Sequence, residues 1–337
     1  MGNNTSTDTL FKSRSYSASI KAGYSLYTNN FRKIFKASWL QAIVFAIIFS
    51  ALGTTCAVHL PRLLLLLLAN ADNPNFVLTT DLTLISIIAT LVVFGAVAEI
   101  LFYACGMSLF KLHSTQDTIP YPTRWFSFDK SMSWRTLKAA FFCILIPLVP
   151  AIAFFLFFIF RLRFMLAEPG AHIATLSITA IVSFIVSILL LPLCYVAFRY
   201  ILNDETHFWK SLAGSYRIGI RHLGSIFATS LVCIIVILIA GIIILLPANI
   251  IMIANLQSSF GVAAYSDPAG MPESIVVITA IAFFFAGLLE AFIRMSAMFP
   301  LYYVYGSIET QEKERRKFKE TQFAETQNDK NQTISLK

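Results

Sequence analysis

The stretch GLLEAFIRMSAMFPLYYV, at residues 287–304, decides the fold because it lies within a mostly apolar run that extends from 274 to 305. As a helix, such a run is long enough to cross the hydrocarbon core of a bilayer, which is about 30 Å thick. The same run carries Glu290 and Arg294, one helical turn apart. Each charge alone costs roughly 2.5–3.5 kcal/mol at the centre of a bilayer. The stretch therefore predicts both a membrane span and a buried polar site.

The whole chain has the composition of an integral membrane protein. Its residues are 57% apolar and 13% charged, whereas about a quarter of the residues in a globular domain are charged. Five further apolar runs reach the length of about 20 residues that a transmembrane helix needs. They are residues 37–58, 82–110, 137–160, 173–198 and 225–254. We therefore predict an all-α polytopic integral membrane protein with six transmembrane helices and no soluble domain.

The distribution of lysine and arginine predicts how these spans are oriented. Almost all basic residues lie before span one, between spans two and three, between spans four and five, and after span six. The other three connections hold only Arg62, Arg161 and Arg163. Because basic residues stay on the cytoplasmic side, both termini are predicted to be cytoplasmic, in a multi-pass protein of the cell (inner, cytoplasmic) membrane. This bias also explains the net charge of +8 without a nucleic-acid partner.

Two segments outside the spans resemble each other and are predicted to be amphipathic helices on the membrane surface. Apolar residues recur at steps of three and four along residues 16–35 and again along residues 208–220. We expect their aromatic side chains to enter the lipid boundary and their basic side chains to meet anionic headgroups. The predicted lipid contacts are Tyr24, Tyr27, Phe31, Lys33, Trp209, Tyr216, Arg217 and Arg221. Simple anchoring and recognition of a specific lipid would both use such a surface.

The spans show a matching similarity. Glu99 and Glu290 each stand eight residues before a methionine, and the pattern PLxYV occurs twice, beginning at Pro192 and at Pro300. We predict three helical hairpins that enter the membrane in the same sense, as parallel repeats; chance similarity between apolar segments is the alternative. The predicted units are the tail, surface helix and first hairpin (1–113), the second hairpin (114–203), the second surface helix and third hairpin (204–306), and a charged cytoplasmic tail with a disordered end (307–337).

The sequence holds no pattern that predicts catalysis or metal binding. No two of the five histidines are four residues apart, and no CxxC, HExxH, GxSxG or glycine-rich phosphate-binding loop occurs. The five cysteines fall inside or at the edges of the predicted spans, which is typical of small apolar packing residues. We therefore expect a protein without enzymatic activity, cofactor or metal ion.

The intramembrane charges are the remaining candidate site. Glu290 precedes Arg294 by four residues, which is the favourable order for an ion pair on a helix. Glu99 has no basic residue in its own span, so it is either neutral or paired with Arg294 across helices. Such groups face a bundle interior or a water-filled cavity. A structural clamp and a polar pathway are both consistent with this pattern. In an isolated clamp pair, removal of one partner is expected to cost more than removal of both.

In its six spans, paired hairpins and preceding segments such as Ala22-Gly-Tyr24 with Ile34-Phe35, the chain resembles a class of bacterial six-span membrane proteins. That class includes the membrane domain attached to some glycerophosphodiester phosphodiesterases. The sequence contains no phosphodiesterase domain, so the resemblance implies a non-enzymatic membrane component. The expected function is a lipid-contacting scaffold or accessory subunit, with membrane lipids as partners and other membrane proteins or a second copy as further candidates. The alternative is a small-solute transporter or channel subunit that uses Glu99, Glu290 and Arg294.

Overall fold

The computed structural model describes residues 10–69, 82–116, 118–119, 134–139, 141, 169–203, 208–265, 272 and 274–335. Regular secondary structure in these ranges is α-helical throughout. The long helices are α1 (Tyr16–Asn29), α2 (Phe31–Ala69), α3 (Leu82–Gln116), α4 (Pro169–Leu190), α5 (Pro192–Leu202), α6 (Phe208–Arg221), α7 (Leu223–Tyr265) and α8 (Ile275–Ser335).

Helical stretches in five places are long and apolar enough to cross a membrane. They are Phe31–His59, Ser86–Gln116, Ser177–Leu202, Leu223–Val262 and Ile275–Phe323. They match the predicted spans one, two, four, five and six, which confirms the expectation of a helical membrane protein. The predicted third span, 137–160, lies outside the described residues except at 137–139 and 141.

The first surface segment differs from its expected extent, which was one helix over residues 16–35. The structure ends α1 at Asn29 and begins α2 at Phe31. Asn30 separates them, because its backbone N–H and its side-chain Nδ2 both donate to the carbonyl oxygen of Leu26, at 3.2 and 3.1 Å. The backbone of Asn30 departs from the helical conformation, with φ −112° and ψ 12°. The last residues of the expected surface helix therefore belong to the first span, whereas α6 matches the second expected helix to within one residue.

The tail also differs from expectation. Its end was expected to be disordered, but α8 remains helical to Ser335. The tail is rich in glutamate, lysine, arginine and glutamine, which are strong helix formers. Arg315 also lies 3.9 Å from Glu312, one helical turn before it, and such pairs stabilise a helix. As a result, α8 extends well beyond the apolar run in which it begins.

Helix α8 forms the centre of the described bundle, since α1, α2 and α7 pack along it. The rings of Phe299 and Tyr302 contact the ring of Phe110 in α3, with centroid distances of 4.8 and 4.5 Å. The Tyr302 hydroxyl donates to the carbonyl oxygen of Phe110 at 3.1 Å. The outer surface of the bundle is aliphatic and aromatic, with exposed residues that include Val92, Val93, Phe94, Ile178, Phe184, Ile242, Ile243 and Phe285. An aromatic core inside an exposed apolar shell suits a lipid environment.

Helices α1 and α6 each approach a proline of a span closely. A Cβ atom added to Gly23 would overlap the backbone of Pro300, which lies inside α8. A Cβ atom added to Gly219 would lie 2.8 Å from the Cβ of Pro192, the first residue of α5. Only glycine permits contacts this short. Helices α1 and α6 therefore use the same type of contact, glycine against proline, on different helices.

We predict that Gly23→Ala separates α1 from α8. Overpacking of this kind costs roughly 1–3 kcal/mol of the free energy of unfolding, measured by denaturant titration of the purified protein in mixed micelles. Gly214→Ala is the matched control, because Gly214 lies in α6 with no atom within 4 Å of an added Cβ. The control should be neutral or slightly stabilising, since alanine is the better helix former. Equal effects of the two substitutions would contradict the close contact.

Candidate functional site

The structure brings the three predicted intramembrane charges together. Arg294 of α8 donates from Nε to Oε1 of Glu290 at 3.0 Å, and from Nη1 to Oε1 of Glu99 in α3 at 3.1 Å. The Tyr103 hydroxyl donates to the same Glu99 oxygen at 3.2 Å. We call these four residues the charge cluster. One guanidinium thereby links two carboxylates on two different spans.

The charge cluster lies in an apolar setting. Glu290 is 4% exposed, whereas the side chains of Glu99 and Arg294 are 28% and 36% exposed. The gap between Glu99 and Arg294, which Phe45 and Phe102 also line, is too small for a water molecule. In such surroundings a charge is tolerated only when another charge or a hydrogen bond compensates it. With all three groups ionised, the cluster holds two negative charges against one positive charge.

The second oxygen of Glu290 is a distinct feature of the cluster. Its Oε2 is buried, and the described part of the chain provides it with no hydrogen-bond partner. Gly241 of α7 covers this oxygen, and a Cβ atom added there would lie 3.4 Å from it. The missing side chain lets α7 close over the carboxylate. This role of Gly241 could not be predicted from the sequence, because nothing in the pattern of α7 distinguishes this glycine.

Tyr103 was also missed by the sequence analysis, although a signal exists. It stands four residues after Glu99, the spacing that places two side chains on one face of a helix. Arg294 stands four residues after Glu290 in the same way. The two helices therefore present equivalent faces to each other, one with a tyrosine and one with an arginine.

The aromatic residues predicted to contact lipid in α1 and at the start of α2 make contacts within the protein. The Tyr27 hydroxyl donates to the carbonyl oxygen of Phe292 at 3.0 Å. The Tyr24 hydroxyl lies 3.9 Å from the Sγ atom of Cys233. Phe31 packs edge-on against the Phe292 ring, with a centroid distance of 6.0 Å, and is still 42% exposed. The hydroxyl groups of both tyrosines are thus directed towards protein atoms, and contact of their rings with lipid stays a prediction.

The basic residues expected at the lipid surface divide into two groups. Lys33 donates from Nζ to the carbonyl oxygen of Ile119 at 2.7 Å. Arg221 pairs with Glu312 of α8 at 3.0 Å. Arg217, in contrast, is exposed. The first two therefore contribute to contacts between segments of the chain in addition to any role at a headgroup.

The aromatic residues of α6 differ in the same way. Trp209 is 68% exposed. The Tyr216 hydroxyl donates to the carbonyl oxygen of Leu189, the penultimate residue of α4, at 2.7 Å. Tyr216 thus ties α6 to α4, while Trp209 is the aromatic residue of α6 most available to lipid.

A second polar group, which the sequence analysis missed, ties α8 to α5 and to His222, which joins α6 to α7. Glu309 accepts a hydrogen bond from the Tyr195 hydroxyl at 2.7 Å and lies 3.1 Å from Nε of Arg199. Glu312 lies 3.1 Å from Nε2 of His222. The available signal was the spacing of the two glutamates, which places both on one side of α8 just after its apolar run.

We predict that the charge cluster responds to substitution as a triad. Glu99→Gln alone, or Glu290→Gln alone, leaves one carboxylate for Arg294. Either substitution should lower the free energy of unfolding by about 1 kcal/mol or less. The double variant Glu99→Gln/Glu290→Gln leaves Arg294 without a carboxylate, and Arg294→Met leaves both carboxylates without a cation. Each of these two variants should lower the free energy of unfolding by about 3–5 kcal/mol. The free energy of unfolding in micelles measures the coupling between the two glutamates in a double-mutant cycle.

Glu314→Gln is the control for this cycle, because Glu314 is exposed on the same helix. It should leave the free energy of unfolding unchanged. Simple additivity of the two glutamine substitutions would mean that the carboxylates act independently, and would contradict the triad.

Within the described ranges, no group of three histidine, cysteine or acidic residues is arranged to hold a metal ion. Comparison of the chain with protein-family models, with curated proteins and with solved structures finds no match. The resemblance to bacterial six-span proteins stays a prediction. Function is therefore inferred from the geometry of the charge cluster and from the packing around it.

Proposed function

We propose that the protein is a non-enzymatic, lipid-contacting membrane scaffold, and that the charge cluster is a clamp between its first and last helical hairpins. The observation that carries this proposal is the position of Arg294 between Glu290 of its own helix and Glu99 of α3. A guanidinium offers a planar fork of donors, so it can bind two carboxylates in fixed directions. The clamp thereby determines how two spans far apart in sequence lie against each other.

The packing of the charge cluster favours a clamp over a polar pathway. A pathway for ions or solutes needs water or exchangeable ligands beside its charged groups. Glu290 is almost fully buried, and the gap that Glu99 and Arg294 share with Phe45 and Phe102 does not admit water. Gly241 closes the remaining side. These features support a static role for the carboxylates.

We further propose six spans arranged as three parallel hairpins, with residues 137–160 as the remaining span. Two observations support this arrangement. Glu99 with Tyr103 and Glu290 with Arg294 occupy equivalent faces of α3 and α8. The surface helices also use equivalent glycine–proline contacts, which join the start of hairpin one to hairpin three and the start of hairpin three to hairpin two. A closed ring of three units follows if the second unit makes the same contact with the first.

The exposed surface supports lipid as the main partner. Large apolar side chains are exposed along α3, α4, α7 and the first part of α8. Continuous apolar surface of this extent is stable only against lipid or another membrane protein. With both termini on the cytoplasmic side, α1, α6 and the basic tail of α8 would all meet the anionic inner leaflet.

We predict that labelling with a membrane-impermeant thiol reagent distinguishes the two ends of α8. Pro272→Cys should react in intact cells, because Pro272 is exposed in a connection expected to lie outside. Phe323→Cys should react only after the membrane is opened, although Phe323 is 75% exposed. The unsubstituted protein controls for reaction of native cysteines. The reverse labelling pattern would contradict the proposed orientation.

We predict that the protein does not conduct protons or small ions. In vesicles that enclose a pH-sensitive dye, an imposed potassium diffusion potential should acidify the lumen no faster with the protein than without it. The variant Glu99→Leu/Glu290→Leu/Arg294→Met should behave in the same way, because a clamp has no part in conduction. A proton flux that the triple substitution abolishes would support the transporter or channel alternative and overturn the scaffold.

A further inference from the structure

A cavity of about 460 Å³ lies beside the charge cluster and is lined by Tyr103 and Arg294 of that cluster. It falls within the range of roughly 300–1,000 Å³ that is usual for binding sites of small ligands. Its walls come from α3, α4, α5, α7 and α8 and are mainly apolar, with Met107, Leu190, Phe198, Met298 and Leu301 among the lining residues. The two methionines can adjust to ligands of different shapes.

Arg294 and Tyr103 line this cavity close to each other, since both contact Oε1 of Glu99, and Thr136 and Ser187 also line it. Nε and Nη1 of Arg294 donate to the two carboxylates. Its Nη2 has no partner in the part of the chain that the structure describes, and the side chain is 36% exposed. The Tyr103 hydroxyl donates its proton to Glu99, so its oxygen still has lone pairs to accept a hydrogen bond. The cavity therefore offers one donor and one acceptor at the same end.

The charge of the cluster restricts which head group can bind there. Two carboxylates already face the single guanidinium, so a further anion at Nη2 would be repelled by the excess negative charge. A cation would need a carboxylate oxygen in the cavity wall, but neither Glu99 nor Glu290 is among the described residues that line the cavity. An uncharged group that both donates and accepts fits best. A hydroxyl group has this property, and a carboxylate or an ammonium group does not.

We propose that this cavity binds an uncharged, long-chain amphiphile whose head is a hydroxyl group, such as a fatty or isoprenoid alcohol. The hydroxyl accepts from Nη2 of Arg294 and donates to the Tyr103 oxygen, while the chain lies along the apolar walls. This inference rests on the proposed placement of the protein in a lipid membrane, because the ligand would enter from the bilayer. It assigns the exposed part of the charge cluster to ligand recognition and the buried part to the clamp.

The test uses the purified full-length protein in lipid nanodiscs and a long-chain alcohol that carries a mid-chain diazirine. After photolysis, mass spectrometry locates the label. We expect label at the cavity walls, for example near Met298 and Leu301, that an excess of unlabelled alcohol removes. An alkane of equal length should compete about tenfold more weakly, since it lacks the two hydrogen bonds. The fatty acid anion should also compete more weakly than the alcohol, because of the cluster's excess negative charge.

Two variants connect the binding to this cavity. Ala197→Phe places a ring in the cavity wall and should reduce the competable label at least about tenfold. Leu289→Trp is its control, since Leu289 is exposed on the outer face of α8, and it should leave the label unchanged. Tyr103→Phe removes the hydrogen-bond acceptor. It should reduce the difference between the alcohol and the alkane in how strongly they compete for the label, and the alkane should still compete. That change of selectivity is a readout that misfolding would not produce.

The outcomes separate this inference from the scaffold. Stronger competition by the fatty acid anion than by the alcohol, or no competable label at the cavity, would overturn the alcohol site and leave the clamp unaffected. Label that spreads only over outward residues such as Ile242 would also overturn it, because those residues face lipid. A proton flux in vesicles together with alcohol-selective labelling would instead overturn the scaffold and keep the binding site.

Discussion

The charge of Arg294 is the constraint on which the rest of the structure depends. A guanidinium within an apolar bundle is stable only when carboxylates and hydrogen bonds replace the water it has lost. Glu290 alone could serve this purpose from the same helix, but Glu99 also contributes from α3. Because hydrogen bonds to a guanidinium are directional, the relative position of α3 and α8 is defined at this point. The aromatic contacts of Phe110 with Phe299 and Tyr302 continue the same interface along the two helices.

Close packing between helices also stabilises the arrangement that the charge cluster defines. Between helices in lipid, association relies on van der Waals contact and on small residues that let backbones approach, because lipid tails are as apolar as the side chains. Gly23 lets α1 lie on the backbone at Pro300, and Gly241 lets α7 cover the buried oxygen of Glu290. Both contacts converge on α8. Helix α8 is therefore central for two reasons. It carries Glu290 and Arg294, and the neighbouring helices α1 and α7 have glycines at the points where they contact it.

The clamp and the proposed ligand site share one side chain. Arg294 directs two of its nitrogen atoms at carboxylates, has no described partner at the third, and lines the cavity. The carboxylates hold the guanidinium in place, so the remaining donor is preorganised for a ligand and loses little conformational entropy on binding. The same carboxylates supply the excess negative charge that selects against an anionic head group. A structural interaction and a binding preference thus arise from a single arrangement of charges.

The sequence by itself determined the membrane-spanning helices, because the length and apolar composition of a run decide whether it suits a bilayer. It also identified Glu99, Glu290 and Arg294 as a candidate site, since charges in apolar runs are rare and need partners. It left open whether Glu99 pairs with Arg294, and it extended the first surface helix beyond Asn29 because it did not recognise Asn30 as a terminator. Only the tertiary structure decided the direction of the Tyr27 hydroxyl, the cover that Gly241 provides and the cavity beside Arg294. The physical reason is that these features depend on how closely helices from distant parts of the sequence approach each other. The periodicity of residues within one helix carries no information about those distances.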